Sequence, residues 1–334
     1  MEEKNAKEAE EQCKLALKIN PNDADIHCNY GDLLAEMERW KEAEEQYKIA
    51  LNLNPNDADI HCSYGDLLAE MECNKEAEEQ YKIALDLNPN DADIHCSYGD
   101  LLAEMERNKE AEEQYKIALD LNPNDADIHC SYGDLLAEME RNKEAEEQYK
   151  IALNIDPNDA DIHCSYGDLL AEMERWGEAE EQYKIALDLD PNDAYIHCSY
   201  GDLLAEMECN KEAEEQYKIA LDLDPNDAYI HCSYGDLLAE MERWGEAEEQ
   251  YKIALDLDPN DAYIHCSYGD LLAEMERWGE AEEQYKIALD LNPNDADIHC
   301  SYGDLLAEME CNKEAEEQYK LALKINPNMK THTN

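Results

Sequence analysis

The chain has 334 residues, of which 84 are Asp or Glu and 27 are Lys or Arg, for a formal charge of −57. That balance excludes nucleic-acid binding, which needs clustered cations to displace phosphate counterions, and it favours a basic partner, divalent cations or a salty milieu. No stretch approaches the roughly 18–20 apolar residues of a membrane span, and Met1-Glu2-Glu3-Lys4 lacks the apolar segment of a signal peptide, so a soluble, cytoplasmic protein without membrane contact is expected.

Ten prolines, from Pro21, Pro55 and Pro89 through to Pro327, recur every 34 residues. Gly31, Gly65 and Gly99, with His27, His61 and His95, keep the same period. A fixed period of this length marks a repeat array, in which each unit leans only on its neighbours. In chain order the array divides into a leading half-unit with a single helix of the second type (1–23), nine full units (24–57, 58–91, 92–125, 126–159, 160–193, 194–227, 228–261, 262–295 and 296–329) and a short tail (330–334). The thirteen cysteines fit a reducing compartment: nine form a repeat series from Cys28 to Cys300, and Cys13, Cys73, Cys209 and Cys311 are scattered.

Each unit predicts two helices. In 92–125, at about 100° per residue, Ile94, His95, Tyr98, Gly99, Leu101, Leu102 and Met105 share one face, and Asp93, Cys96, Asp100 and Glu104 form a polar stripe opposite. In the second half Ala111, Tyr115, Ala118 and Leu119 fall together, with Glu112 and Lys116 four apart in the favourable order on the other side. Pro123-Asn124-Asp125 ends one helix and caps the next. The inner turn, Glu106-Arg107-Asn108-Lys109, has no glycine and is placed from the phase break between the two apolar faces. Small residues at Gly99, Ala111 and Ala118 let the two backbones approach closely.

The pattern of these residues resembles the tetratricopeptide repeat family over 329 of the 334 residues. His95, Tyr98, Gly99, Leu102, Ala111, Tyr115, Ala118 and Pro123 stand at the family's motif positions, and the unit recurs nine times without an insertion. His95 takes the place of the usual tryptophan and Tyr98 that of a leucine, so the core should be more polar than is typical of the family. A repeated Tyr–His hydrogen bond is the candidate for satisfying it. The resemblance implies an all-α solenoid of antiparallel helix pairs, a right-handed superhelix whose concave groove is lined by the first helices.

By that resemblance the polar stripe is the groove, and the candidate binding residues follow. They are Asp127, Cys130, Asp134 and Glu138 in one unit, then Asp161, Cys164, Asp168 and Glu172 in the next. Tyrosine replaces the leading aspartate in the following three units, giving Tyr195, Cys198, Asp202 and Glu206, then Tyr229, Cys232, Asp236 and Glu240, then Tyr263, Cys266, Asp270 and Glu274. The carboxylate clamp of Lys, Arg and Asn found in some relatives is absent from these positions, so an acidic peptide terminus is not the expected ligand. The tyrosines add aromatic surface of the type favoured at binding hot spots. Trp40, Trp176, Trp244 and Trp278 fall in the inner turn, where they are expected to cover it.

No enzyme is expected: an active site needs a unique constellation, and almost every residue here occurs nine times. The nine adjacent His-Cys pairs diverge by about 100° on a helix and cannot chelate one ion together. Asp188 to Asp193 lacks the glycine and glutamate of a calcium loop and reads as a helix end plus a cap. No cofactor is implied. The leading expectation is a protein-interaction scaffold with an acidic groove for a basic or repetitive polypeptide. A second is end-to-end self-association into filaments, since 14–22 and 320–328 both read KLALKINPN and the array carries no polar cap at either end. A third is a metal-binding ladder of thiols and carboxylates.

Overall fold

The computed structural model describes residues 2–327. The predicted tail 330–334 and the last two residues of the ninth unit lie outside the described residues. Nineteen helices and no strand occur among the described residues. The first, α1 (Glu2–Ile19), precedes nine first helices: α2 (Ala24–Glu36), α4 (Ala58–Glu70), α6 (Ala92–Glu104), α8 (Ala126–Glu138), α10 (Ala160–Glu172), α12 (Ala194–Glu206), α14 (Ala228–Glu240), α16 (Ala262–Glu274) and α18 (Ala296–Glu308). Alternating with them are nine second helices: α3 (Trp40–Leu53), α5 (Asn74–Leu87), α7 (Asn108–Leu121), α9 (Asn142–Ile155), α11 (Trp176–Leu189), α13 (Asn210–Leu223), α15 (Trp244–Leu257), α17 (Trp278–Leu291) and α19 (Asn312–Ile325). The chain divides within α10 into two compact units, 1–169 and 170–334.

The cap chemistry read from the sequence builds the junctions. Asp91 Oδ1 accepts from the amides of Asp93 and Ile94 at 3.1 and 3.4 Å and so starts α6. Asn122, just past α7, donates its side-chain amide to the next capping residue, Asp125, at 2.9 Å. In the would-be calcium segment, Asp190 ends α11 and Asp193 caps α12 by accepting from Ile196 N at 2.9 Å.

The inner turn is a Schellman motif. The amide of Glu106 donates to Ala103 O at 2.7 Å and that of Arg107 to Leu102 O at 2.8 Å, closing the end of α6. Glu106 therefore sits in the left-handed region at φ 57°, as do its eight copies from Glu38 to Glu310. Glycine is the usual occupant there, and a Cβ in this conformation costs roughly 1 kcal/mol or more. Met105, expected on the apolar face of α6, instead caps its C-terminus and is half-buried.

In the helix pairs on either side of α10 the two helices of a pair make the broadest contact, and the second helix then meets the first helix of the next pair. Consecutive first helices also touch, whereas consecutive second helices do not, among the described residues. The first-helix side is therefore the tighter one. Ala111 and Ala118 are fully buried at the α6–α7 contact, and a Cβ on Gly99 would stand 3.0 Å from Cε1 of Tyr115. That glycine is what lets the Tyr115 ring lie against the backbone of α6. Burying such a ring contributes roughly 2 kcal/mol, and Tyr115 also meets Tyr132 of the next first helix with ring centroids 5.9 Å apart.

The Tyr–His bond expected from the sequence does not form in these repeats. His95 donates from Nε2 to the carbonyl of Pro89 at 3.3 Å, and its Nδ1 pairs with the side-chain amide of Gln114 at 2.7 Å. The ring thus clasps the end of one repeat to both helices of the next. Tyr98 donates instead to Glu78 at 2.9 Å, and Tyr115 to Asp100 at 2.5 Å. The histidine and the two tyrosines of this repeat have thus all found partners, as buried polar groups must, whereas the side-chain oxygens of Asn74, Asn108 and Asn210, which stand where other repeats carry tryptophan, are buried without one.

Candidate binding groove

The first helices read ADIHCSYGDLLAE or AYIHCSYGDLLAE and, α2 included with its Asn29, contain no Lys or Arg. The cations stand on the second helices and in the turns, so the first-helix side carries uncompensated carboxylates. A field of one sign over a surface attracts the opposite sign.

The four predicted columns lie at different depths. The leading column is exposed: Asp127 and Asp161 in residues 1–169, and Tyr195, Tyr229 and Tyr263 at 58%, 49% and 54% in residues 170–334. The last column, Glu138, Glu172, Glu206, Glu240 and Glu274, is exposed as well. Partial burial lifts the carboxyls of Glu138 and Glu240 above the ordinary range.

The cysteine column lies deeper. Cys130 is half-buried, and Cys164, Cys198, Cys232 and Cys266 are buried. The groove tyrosines account for two of them, since Cys198 and Cys232 are 0% exposed where the next first helix carries Tyr229 and Tyr263. Cys266, followed by Asp297, is 8% exposed. Burial, reinforced by nearby aspartates, pushes the thiols of Cys130, Cys232 and Cys266 well above the ordinary range. These thiols are protonated packing groups. Among the described residues no three His, Cys, Asp or Glu side chains converge on a point that could hold a metal ion.

The inner aspartates are tied down. Tyr149 donates to Asp134 at 2.5 Å, Tyr217 to Asp202 at 2.5 Å, Tyr285 to Asp270 at 2.5 Å, and Tyr251 to Asp236. Asp202 and Asp236 each take a second hydroxyl, from Tyr229 at 3.4 Å and Tyr263 at 3.3 Å. Desolvation outweighs these bonds and raises the carboxyls of Asp202 and Asp236 to about 6. Asp168 is half-buried at the corresponding position.

The side chains left to meet a ligand are thus the outer columns with the still exposed Asp134 and Asp270, joined by residues that sequence reasoning gave another role. In residues 1–169 a recess of about 420 Å³ is lined by Asp32, Glu36, Asp66 and Glu70 together with Trp40 and Tyr47. The indole makes one wall of an acidic hollow, an arrangement that suits a cationic side chain through both charge and the aromatic face. Trp40 was assigned only to covering the turn. The repeat period already placed it four residues beyond Glu36, and that spacing was the available signal.

No helix among the described residues is long and apolar enough to cross a membrane. No curated protein sequence matches the chain. Among solved structures it is similar in fold to the APC/C hetero-tetramer Cut9–Hcn1 (TM-score 0.63, 14% identity, covering 95% of this chain and 79% of that one). It is also similar to yeast Tom70 (0.59, 14%, 98% and 90%) and to a tetratricopeptide repeat protein from Parabacteroides merdae (0.60, 17%, 73% and 97%). The family model described as "TPR repeat" matches residues 99–140, 133–173, 167–208, 235–275 and 269–310, more than half of the chain, and models described as tetratricopeptide repeats match 1–71 and 296–329. With helix pairs of constant length, a small residue at the helix crossings and matches over more than half of its length, the chain belongs to the tetratricopeptide repeat family.

Proposed function

We propose that the chain is a protein-interaction scaffold whose first-helix groove holds a basic, extended or repetitive polypeptide. One observation carries this reading: the first helices present carboxylates and tyrosines and no cation. A cationic ligand gains charge neutralisation along residues 58–169 and cation–π contact along Tyr195, Tyr229 and Tyr263. Repetition in the groove favours repetition in the ligand, because equivalent seats multiply effective concentration. Solved relatives in this fold include assembly components, and chains of this family typically act as non-enzymatic scaffolds.

Calorimetric titration with an end-capped lysine- and arginine-rich peptide tests the reading. Binding should weaken steeply with salt, and Tyr195→Ala with Tyr229→Ala should lower affinity about tenfold, the loss of one modest hot spot. Salt-independent binding, or unchanged affinity in the double variant, counts against the groove.

A further inference from the structure

A second recognition element runs along the turn edge, away from the groove, and the repeats themselves reveal it. In most repeats the arginine of the inner turn is a staple. Arg107 bonds Glu110 of its own second helix through Nε and Nη2 at 2.9 and 2.7 Å, and through Nη1 reaches Glu78 on the preceding second helix at 2.8 Å. Glu78 also accepts from Tyr98 at 2.9 Å. The same seat is filled by Arg39 on Glu10, Arg141 on Glu112, Arg243 on Glu214 and Arg277 on Glu248, at 2.6 to 2.9 Å. A guanidinium spans two carboxylates on different repeats in each case, the fork geometry that only this group provides.

Three repeats carry cysteine in place of that arginine: Cys73, Cys209 and Cys311. The rest of the seat is intact, including the lysine one turn on: Lys48, Lys184 and Lys286 pair with Glu44, Glu180 and Glu282 at 2.6, 2.5 and 2.7 Å, as Lys82 pairs with the stapled Glu78 at 2.7 Å. Glu44, Glu180 and Glu282 still accept from Tyr64, Tyr200 and Tyr302 at 3.1, 3.3 and 3.1 Å. Their second carboxylates, Glu76, Glu212 and Glu314, remain exposed beside them. The change shows in the solvent: Glu44, Glu180 and Glu282 side chains are 28%, 30% and 29% exposed, against 14–17% for the stapled Glu10, Glu78, Glu112, Glu214 and Glu248. A half-buried thiol, shorter than arginine by several atoms, lies at the mouth of each open seat.

We infer that the Glu44–Glu76, Glu180–Glu212 and Glu282–Glu314 pairs are three docking sites for arginine side chains of a partner polypeptide, each receiving the guanidinium that the chain itself supplies at the neighbouring repeats. The seats are built, since the same residue types hold a guanidinium five times over in this molecule. They are selective, since lysine's single ammonium cannot bridge both carboxylates as the fork does. Their positions, after one gap of four repeats and another of three, mark the array with an address that its otherwise uniform sequence lacks. This inference is independent of the groove.

The thiols report occupancy. Alkylation of the full-length protein by neutral iodoacetamide is followed at each cysteine by peptide mass spectrometry, at constant ionic strength, with N-acetyl-arginine amide or N-acetyl-lysine amide as the probe. The arginine probe should slow Cys73, Cys209 and Cys311 at least threefold and leave Cys13 unchanged, and the lysine probe should have little effect. In Glu180→Gln, protection should vanish at Cys209 and persist at Cys73 and Cys311, which also certifies that the variant is folded. Absence of site-specific slowing, equal protection by the lysine probe, or protection of Cys209 that survives Glu180→Gln would each overturn the assignment.

Discussion

Residues 58–159 and 194–295 share one backbone plan and differ at the head of each first helix, where Asp59, Asp93 and Asp127 give way to Tyr195, Tyr229 and Tyr263. That single position reaches well beyond its own side chain. In the aspartate region the groove cysteines Cys62, Cys96 and Cys130 are half-buried, and each inner aspartate takes one tyrosine hydroxyl. In the tyrosine region Cys198 and Cys232 are sealed, and Asp202 and Asp236 take two. One substitution therefore changes surface chemistry, thiol access and carboxylate environment together, because each first helix touches the next.

The largest effect is expected from pH, which acts on both regions. Burial raises Asp100, Asp202 and Asp236 to about 6, so the folded state binds their protons more tightly than the unfolded chain does. Stability from this source is lost as pH rises through 6 and is recovered on acidification. Ion pairing holds Glu78, Glu214 and Glu248 down to about 2, so their contribution is present above the ordinary carboxylate value near 4.3 and is lost as pH falls toward 2. The melting temperature should rise from pH 7 to a maximum near pH 5 and then fall, by several degrees on each side. A melting temperature that only declines below pH 7 would refute the buried-aspartate account.

Converting one region into the other comes next. Tyr229→Asp with Tyr263→Asp should unseal Cys198 and Cys232 and raise their alkylation rates about tenfold, the equivalent of about 1.4 kcal/mol of local access. Cys130 provides the unchanged reference. Equal rates before and after substitution would show that the tyrosines are not the cover.

A smaller effect tests the doubled hydroxyls. Tyr149→Phe should cost about 1 kcal/mol by denaturant unfolding, the net worth of a hydrogen bond to a charged or partly charged group. Tyr217→Phe should cost about half as much, because Asp202 keeps Tyr229. Smallest, and alike in both regions, Glu106→Gly and Glu208→Gly should each stabilise by about 0.5 kcal/mol, the relief of a left-handed Cβ less the added chain entropy of glycine. Loss of stability at either site would mean that the glutamate has an undetected partner.

The fold was legible because its signals are local. Proline at the unit end, aspartate at the cap and apolar residues at helical spacing all act within a few residues of themselves, and the helices begin where Asp91 and its copies place them. The left-handed Glu106 escaped because no glycine announced it. The polar stripe of the first helices was legible in its members and illegible in depth, for a reason of distance. Asp134 is bound by a tyrosine 15 residues on, the histidines by a glutamine 19 residues on, and Asp202 by a tyrosine 27 residues on. A helical wheel has no knowledge of neighbours on another helix. His95 and Tyr98, one turn apart on the wheel, were natural partners on that view, and each instead reaches a different helix.

The clasp in which His95 joins Pro89 to Gln114 recurs with the same partners at His27, His61, His129, His197, His231, His265 and His299. Interchangeable clasps carry no label. A nascent second helix would find any first helix of the array almost equally welcoming, so the energy of the contact cannot select the right neighbour. Proximity along the chain must do so, because closing a short loop costs less entropy than closing a long one. Such an array folds quickly from local contacts, and two copies held at high concentration would be prone to exchange whole repeats, a hazard that grows with the number of units that are alike.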